Sequence, residues 1–231
     1  MNQRRVIGRV RHAWFRLFET RRHRRDTLER IDGFDLIVLA STLNPALFLS
    51  GRALARAVAG LARPGMRVLD MGTGTGLVGL AAARQGAFVV AVDINPDAVR
   101  CARLNAERNG VTDRMTVLQG DLFAPVAGER FDLIAFNPPF FRGKPRDAWE
   151  QAWKSIDVAE RFAASLEQHL ADGGAGLLVT STEGDQAGFL TALAQSGFQS
   201  TVAATRELGY ERLSIYRLIS AQTAGPGGGR A

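Results

Sequence analysis

The sequence has few of the residues that form disulfides and metal sites. One cysteine, Cys101, stands among 231 residues, so no disulfide can form within the chain, and this fits a reducing compartment such as the cytoplasm. The three histidines, His12, His23 and His169, lack the spacing of metal ligands. No apolar run reaches the ~20 residues of a membrane-spanning helix. A metal-dependent enzyme, a histidine-base enzyme and a membrane-spanning protein are therefore disfavoured.

Positive charge is concentrated at the N-terminus. The formal net charge is +6, but residues 1–30 contain ten arginines and three acidic residues, so the remainder of the chain carries a net charge of −1. Apolar residues recur at helical spacing between Ile7 and Phe18. We therefore expect a basic amphipathic helical extension over residues 1–32. Its apolar stripe either packs on the adjoining domain, or its arginines contact phosphates of RNA or an anionic membrane surface.

Residues 66–79 predict a short buried strand that turns through glycines into a helix. Gly72, Gly74 and Gly76 allow backbone dihedrals that a Cβ would forbid, and they let a ligand lie against the main chain. The helix that follows directs its free amide groups into the same space. Asp70 stands at the end of the strand. This pattern is typical of a nucleotide-type cofactor site, provided that a ribose-binding acid follows.

Such an acid is present. A second predicted strand, Phe88–Val92, ends on Asp93, about twenty residues after the glycines, where a carboxylate can accept ribose hydroxyls. Asp70 distinguishes between cofactors, because a carboxylate there would repel a pyrophosphate but suits the cationic amino-acid end of S-adenosylmethionine. S-adenosylmethionine is therefore the predicted cofactor, in preference to NAD.

Strand and helix patterns alternate from residue 66 onward and end in two strands, at about 199–207 and 211–218, with no helix between them. The fold class predicted is α/β: a Rossmann-like, seven-stranded, mostly parallel sheet with an antiparallel C-terminal hairpin and helices on both faces. We expect this domain to span residues 33–220. Residues 221–231 are rich in glycine and are expected to form a disordered tail.

Four polar positions follow predicted strands, at Asp70, Asp93, Asp121 and Asn137, and should meet at one edge of the sheet. From Asn44 to Leu218 their order and spacing resemble the class I S-adenosylmethionine-dependent methyltransferases. The resemblance implies that the glycine loop holds the methionine moiety, that Asp93 takes the ribose and that Asp121 reads the adenine. The cofactor-binding residues that it implies are Asp70, Gly72, Thr73, Gly74, Gly76, Leu77, Asp93, Ile94, Asp121, Leu122 and Asn137.

The sequence Asn137-Pro138-Pro139-Phe140 is the signature of this superfamily for amino-group targets, and these four residues are the catalytic candidates. A planar nitrogen is a poor nucleophile because its lone pair is delocalised. The side-chain oxygen of Asn137 and the carbonyl of Pro138 can hold its two hydrogens and direct the lone pair at the methyl group. The prolines stiffen the loop, and Phe140 offers a flat face to the target.

The sequence is compatible with several classes of methyl acceptor. The motif, the loop after it and the closing strand resemble the release-factor glutamine methyltransferases and the methyltransferase small-domain group, which implies a protein glutamine side chain. Phe141, Arg142 and Pro45 are the residues expected to contact the acceptor. RNA methyltransferases that act on adenine or guanine amino groups use the same motif, so an RNA acceptor is an alternative. A small-molecule amine and a cofactor-fold binding subunit without turnover are further alternatives.

Overall fold

The computed structural model describes residues 25–146, 150, 152–209 and 211–221. Its elements alternate between strands and helices through the middle of the chain. In chain order they are β1 (Thr27–Ile31), β2 (Phe34–Val38), α1 (Leu49–Leu61), β3 (Arg67–Met71), α2 (Leu77–Ala83), β4 (Phe88–Asp93), α3 (Pro96–Arg108), β5 (Met115–Gln119), β6 (Phe131–Phe136), β7 (Phe141–Arg142), β8 (Lys154–Ser155), α4 (Val158–His169), β9 (Leu170–Ser181), α5 (Gln186–Gln195), β10 (Phe198–Glu207) and β11 (Arg212–Ser220).

Seven strands form one sheet in the order β10-β11-β9-β6-β3-β4-β5. The strands from β9 to β5 are parallel to one another. Strand β11 is antiparallel to both β9 and β10. The predicted seven-stranded, mostly parallel sheet with an antiparallel C-terminal hairpin is confirmed.

Helices cover both faces of this sheet. Successive side chains of a strand point to opposite faces, and in β3 the fully buried Val68 and Leu69 belong to two separate apolar clusters. The cluster around Val68 includes side chains of α1, α2 and α3, whereas the cluster around Leu69 includes side chains of α4 and α5, among them Phe162. The two cores hold the sheet between helix layers, so its carboxyl edge is rigidly placed.

The start of the domain differs from the prediction. Residues 27–31, assigned to the helical extension, form strand β1, which pairs with β2 in antiparallel register. Asp32 and Gly33 join the strands, with φ angles of +50° and +82°, as a two-residue hairpin turn requires. The Asp32 carboxylate also accepts hydrogen bonds from Arg52 and Arg56 of α1. The rest of the predicted extension, residues 1–24, and the predicted tail from residue 222 lie outside the described residues.

Among the described residues there is neither a membrane-spanning helix nor a cluster of metal ligands. No helix among them is long and apolar enough to cross a bilayer. No group of three or more histidine, cysteine or acidic side chains in this part of the chain is arranged to hold a metal ion.

Candidate active site

A cavity of about 400 Å³ lies at the carboxyl edge of the sheet. It is bounded by the loops that follow β3, β4, β5 and β6, as expected for an open α/β sheet. The segment before α1 and the segment around β8 and the start of α4 form the remaining walls. Of the predicted cofactor residues, the following line the cavity: Asp70, Gly72, Thr73, Gly74, Leu77, Asp93, Ile94, Asp121, Leu122 and Asn137.

The glycine loop after β3 has the conformation that its sequence requires. Gly72, Gly74 and Gly76 have φ angles of +64°, +56° and +84°, which L-residues with a Cβ rarely adopt. Gly76 does not line the cavity, and a Cβ there would lie 3.2 Å from the backbone of Ala102 in α3. Gly76 therefore serves the packing of the loop, whereas a Cβ on Gly74 would meet no heavy atom within 4 Å.

Asp70 lies under this loop and is 2% exposed. Its Oδ2 atom accepts hydrogen bonds from the Thr73 hydroxyl at 2.6 Å and from the Gly79 amide of α2 at 2.9 Å. Burial, with a lesser contribution from the nearby Asp93 carboxylate, raises the pKa of Asp70 to about 7, although the two hydrogen bonds act to lower it. The cavity thus contains a carboxyl group that changes charge near neutral pH.

Asp93, the last residue of β4, ties the glycine loop to the second strand. Its Oδ2 atom accepts from the Gly74 amide and its Oδ1 atom from the Asn95 amide, both at 2.9 Å. Burial also raises the pKa of Asp93, while these amide hydrogen bonds oppose the shift. Each oxygen keeps a further lone pair for a ligand.

Asp121 and Leu122 follow β5 at the next strand end. The Asp121 carboxylate accepts a hydrogen bond at 2.5 Å from Arg161, a residue of α4 that also lines the cavity. This hydrogen bond raises the pKa of Arg161. Leu122 has a φ angle of +48°, a strained conformation that is common at functional sites.

Asn137 follows β6 directly, and its Oδ1 atom is buried. This atom has no hydrogen-bond partner within the described residues, which is uncommon because a buried acceptor without a donor costs about 1–3 kcal/mol. Pro139 lines the cavity beside it, whereas Pro138 and Phe140 do not. The Phe140 carbonyl instead accepts a hydrogen bond from the Asp185 amide at 2.7 Å.

Comparison with known proteins agrees with this geometry. The sequence profile of the Methyltransferase small domain family matches residues 51–212. The chain belongs to this family. A Methanocaldococcus jannaschii protein whose name is that of a protein N5-glutamine methyltransferase is 32% identical to this methyltransferase over 157 residues, 64% of the chain and 78% of the relative. The release factor glutamine methyltransferase of Geobacter sulfurreducens is 31% identical over 199 residues, 78% of the chain and 67% of the relative.

A solved structure has the same fold. The M. jannaschii tRNA m1G37 methyltransferase superposes with a TM-score of 0.60 at 18% identity, over 84% of this methyltransferase and 56% of that chain. Six further curated relatives are longer, and the chain spans 24% to 44% of their length. The predicted enzyme class and cofactor are confirmed: the protein is an S-adenosylmethionine-dependent methyltransferase.

The residues of the cavity fit this cofactor. Asp70 and Asp93 place two carboxylates in the wall, and a cationic ligand compensates charge that is shielded from water. Gly74 leaves open space over the loop where a side chain would intrude. We assign the methionine end of the cofactor to Asp70 and the glycine loop, and the ribose to Asp93, as proposals for this methyltransferase.

Cofactor binding by the methyltransferase should become tighter as the pH rises from 6 to 8. A cationic ligand favours ionised Asp70, whose pKa lies at about 7, so the dissociation constant should fall by up to about tenfold per pH unit below 7 and level off above it. Without ligand the sign is opposite for folding: the stability linked to this raised pKa is complete below about pH 4 and is lost as the pH rises through 7.

Calorimetric titration in buffers of different ionisation enthalpy measures both the affinity and the protons released. Asp70→Asn should remove the pH dependence that belongs to this group and leave the part that arises from Asp93. A dissociation constant of the parent enzyme that is flat between pH 6 and 8 would contradict a neutral-range pKa for Asp70.

The predicted acceptor residues separate in the structure. Pro45 lines the cavity, but Phe141 and Arg142 do not. Phe141 belongs to β7, and its amide donates to the Trp153 carbonyl at 2.8 Å. Arg142 forms ion pairs with Glu160 and Asp185. A direct contact between Arg142 and the acceptor stays a prediction, and the structure gives this residue a different set of partners.

Several cavity residues were missed in the sequence. They come from segments that are distant in the chain from the glycine loop, and no local motif marks them. Two of them lie at the start of α1 and two lie at or near the start of α4. Only the tertiary structure brings them to the cavity. These residues are Phe48, Gly51, Lys154 and Arg161.

Proposed function

We propose that this methyltransferase transfers a methyl group to the side-chain amide nitrogen of a glutamine in a protein. One observation carries the proposal: the buried Oδ1 atom of Asn137, in the wall of the cofactor cavity, has no donor within the described residues. An amide NH₂ group entering the cavity supplies that donor. The oxygen that costs free energy in the resting enzyme then becomes a binding group for the acceptor.

S-adenosylmethionine, when bound, supplies a methyl group made electrophilic by the sulfonium. Asn137 Oδ1 accepts one hydrogen of the amide, which turns the nitrogen lone pair toward the methyl carbon. A second hydrogen bond, to the Pro138 carbonyl, stays a prediction, because Pro138 does not line the cavity. The new N–C bond forms as the S–C bond breaks, the bonding electrons remain on sulfur, and the nitrogen afterwards loses one proton to water. The chain therefore contributes the orientation of the reacting atoms.

The charges around the cavity favour a protein acceptor over RNA. Two cations of the described lining, Lys154 and Arg161, are each paired with a carboxylate, of Glu150 and of Asp121 respectively. Neutralised cations contribute little to phosphate binding. Relatives at 31% and 32% identity, which carry glutamine methyltransferase names, support the same choice. A cytoplasmic location and an RNA contact through the N-terminal arginines stay predictions.

Transfer of a tritiated methyl group tests the proposal. The protein is incubated with labelled S-adenosylmethionine and either a purified release factor or total ribosomal RNA, and each product is digested with protease or with ribonuclease. We expect label that becomes acid-soluble after protease treatment and that is recovered as N5-methylglutamine. Label that only ribonuclease releases would overturn the glutamine assignment and support the RNA alternative. The Asn137→Ala variant serves as the control for background labelling.

A further inference from the structure

The loop that contains Asn137 ends against a turn from another part of the fold. The turn joins β9 to α5 and includes Gly184 and Asp185. The Asp185 amide donates to the Phe140 carbonyl at 2.7 Å. A Cβ on Gly184 would lie 2.6 Å from that same carbonyl oxygen, so the two backbones approach as closely as glycine permits.

Arg142 ties this turn to α4. Its Nε atom donates to Asp185 Oδ2 at 2.8 Å, its Nη1 atom to the Ile156 carbonyl at 2.9 Å, and its Nη2 atom to Glu160 Oε1 at 2.7 Å. The hydrogen bond to Glu160, followed by the one to Asp185, raises the pKa of Arg142. The planar guanidinium thus holds three groups in a fixed geometry, which the flexible ammonium of a lysine does less well.

Asp185 is fixed from the other side as well. Its Oδ1 atom accepts a hydrogen bond from the Gly188 amide at 3.1 Å and so caps the N-terminus of α5. Helix α5 therefore fixes the position of Asp185, and the Asp185 amide in turn fixes the Phe140 carbonyl. The connection from α5 to the Asn137 loop consists of this one capping residue and one backbone hydrogen bond.

We propose that Arg142 and the Gly184-Asp185 turn form a brace that fixes the loop from Asn137 to Phe140, and that Arg142 is a positioning residue for methyl transfer. The inference rests on the proposed role of Asn137. The brace acts at the end of the loop, three residues from the side chain that holds the acceptor. Displacement of a reacting group by about 1 Å can cost on the order of 100-fold in rate.

Such a brace affects geometry more than stability. The side chains of Arg142 and Glu160 are 46% and 50% exposed, and ion pairs at this exposure add little to the free energy of folding. Removal of Arg142 should therefore leave the protein folded and its cofactor affinity within threefold of the parent, while the rate of transfer falls.

Steady-state kinetics of Arg142→Ala and Arg142→Lys test the proposal, with whichever acceptor the parent enzyme labels. We expect kcat to fall about 10- to 100-fold in Arg142→Ala, with little change in the acceptor KM, and to recover in part in Arg142→Lys. Gly184→Ala should lower kcat as well. The matched control is Arg67→Ala, which breaks an ion pair of similar exposure, Arg67 with Glu129, at the opposite end of β3.

A raised acceptor KM with kcat retained would overturn the proposal and place Arg142 in contact with the acceptor. Hydrogen–deuterium exchange with S-adenosylhomocysteine bound provides a readout that does not depend on the acceptor. The amides of residues 140–143 should exchange several-fold faster in Arg142→Ala but not in Arg67→Ala, and unchanged exchange would refute the brace. If exchange responds but no glutamine is methylated, the proposed function fails and the brace stands.

Discussion

Replacing Asn137 with alanine should lower kcat by about 100- to 1,000-fold, the loss typical when one preorganised hydrogen-bonding group is removed from an active site. The variant can no longer hold the amino group of the acceptor, so the lone pair is not directed at the methyl carbon. Single-turnover transfer of labelled methyl measures the step itself. The dissociation constant for S-adenosylhomocysteine should stay within a few-fold of the parent, because the other strand ends remain in place.

The same substitution should not destabilise the fold. Asn137 Oδ1 has no partner within the described residues, so alanine removes a buried acceptor that costs about 1–3 kcal/mol rather than a hydrogen bond. We expect an unchanged or slightly higher Tm together with the large loss of rate. Asn109→Ala, at the end of α3 and outside the cavity lining, is the control. It removes hydrogen bonds to the Asp35 backbone, so it should lower Tm while methyl transfer continues at the parent rate. Full activity in Asn137→Ala would remove Asn137 from the mechanism.

Asp93→Ala should weaken cofactor binding by at least about 100-fold. Two hydrogen bonds from a ribose to an ionised carboxylate are worth about 1.5–3 kcal/mol each. The change also frees the amides of Gly74 and Asn95, which Asp93 holds at 2.9 Å, so the glycine loop keeps only the backbone hydrogen bond from Thr73 to Val92 as a tie to β4 among the hydrogen bonds described. Calorimetric titration with S-adenosylhomocysteine measures the effect directly, since no transfer occurs.

Asp113→Ala is the control for this change. Asp113 precedes β5, its side chain is 73% exposed, and its only recorded ion pair among the described residues is with the adjacent Arg114. Its removal alters the net charge by the same amount without touching the cavity. If the two variants bind S-adenosylhomocysteine equally well, the ribose assignment of Asp93 is wrong.

Local sequence signals were sufficient to predict the glycine loop and the strand-end carboxylates that line the cavity. Gly72, Gly74 and Gly76 adopt the positive φ angles that only glycine adopts at little cost, and Asp70 and Asp93 meet because parallel strands end at the same edge. The sequence Asp32-Gly33 is also a strong signal for a two-residue hairpin turn. The turn was not predicted, because the helical extension was assigned as far as residue 32.

The sequence by itself determined the fold class, the cofactor and the strand-end residues, because hydrophobic periodicity, glycine conformation and strand polarity act within short segments. The tertiary structure alone decided which further residues line the cavity and how they are paired. Arg161 reaches Asp121 across 40 positions, and Arg142 reaches Asp185 across 43. Such pairings depend on how helices pack on the sheet, so no local pattern encodes them. They are the basis for the proposed brace, and the predicted contact of Arg142 with the acceptor stays a prediction.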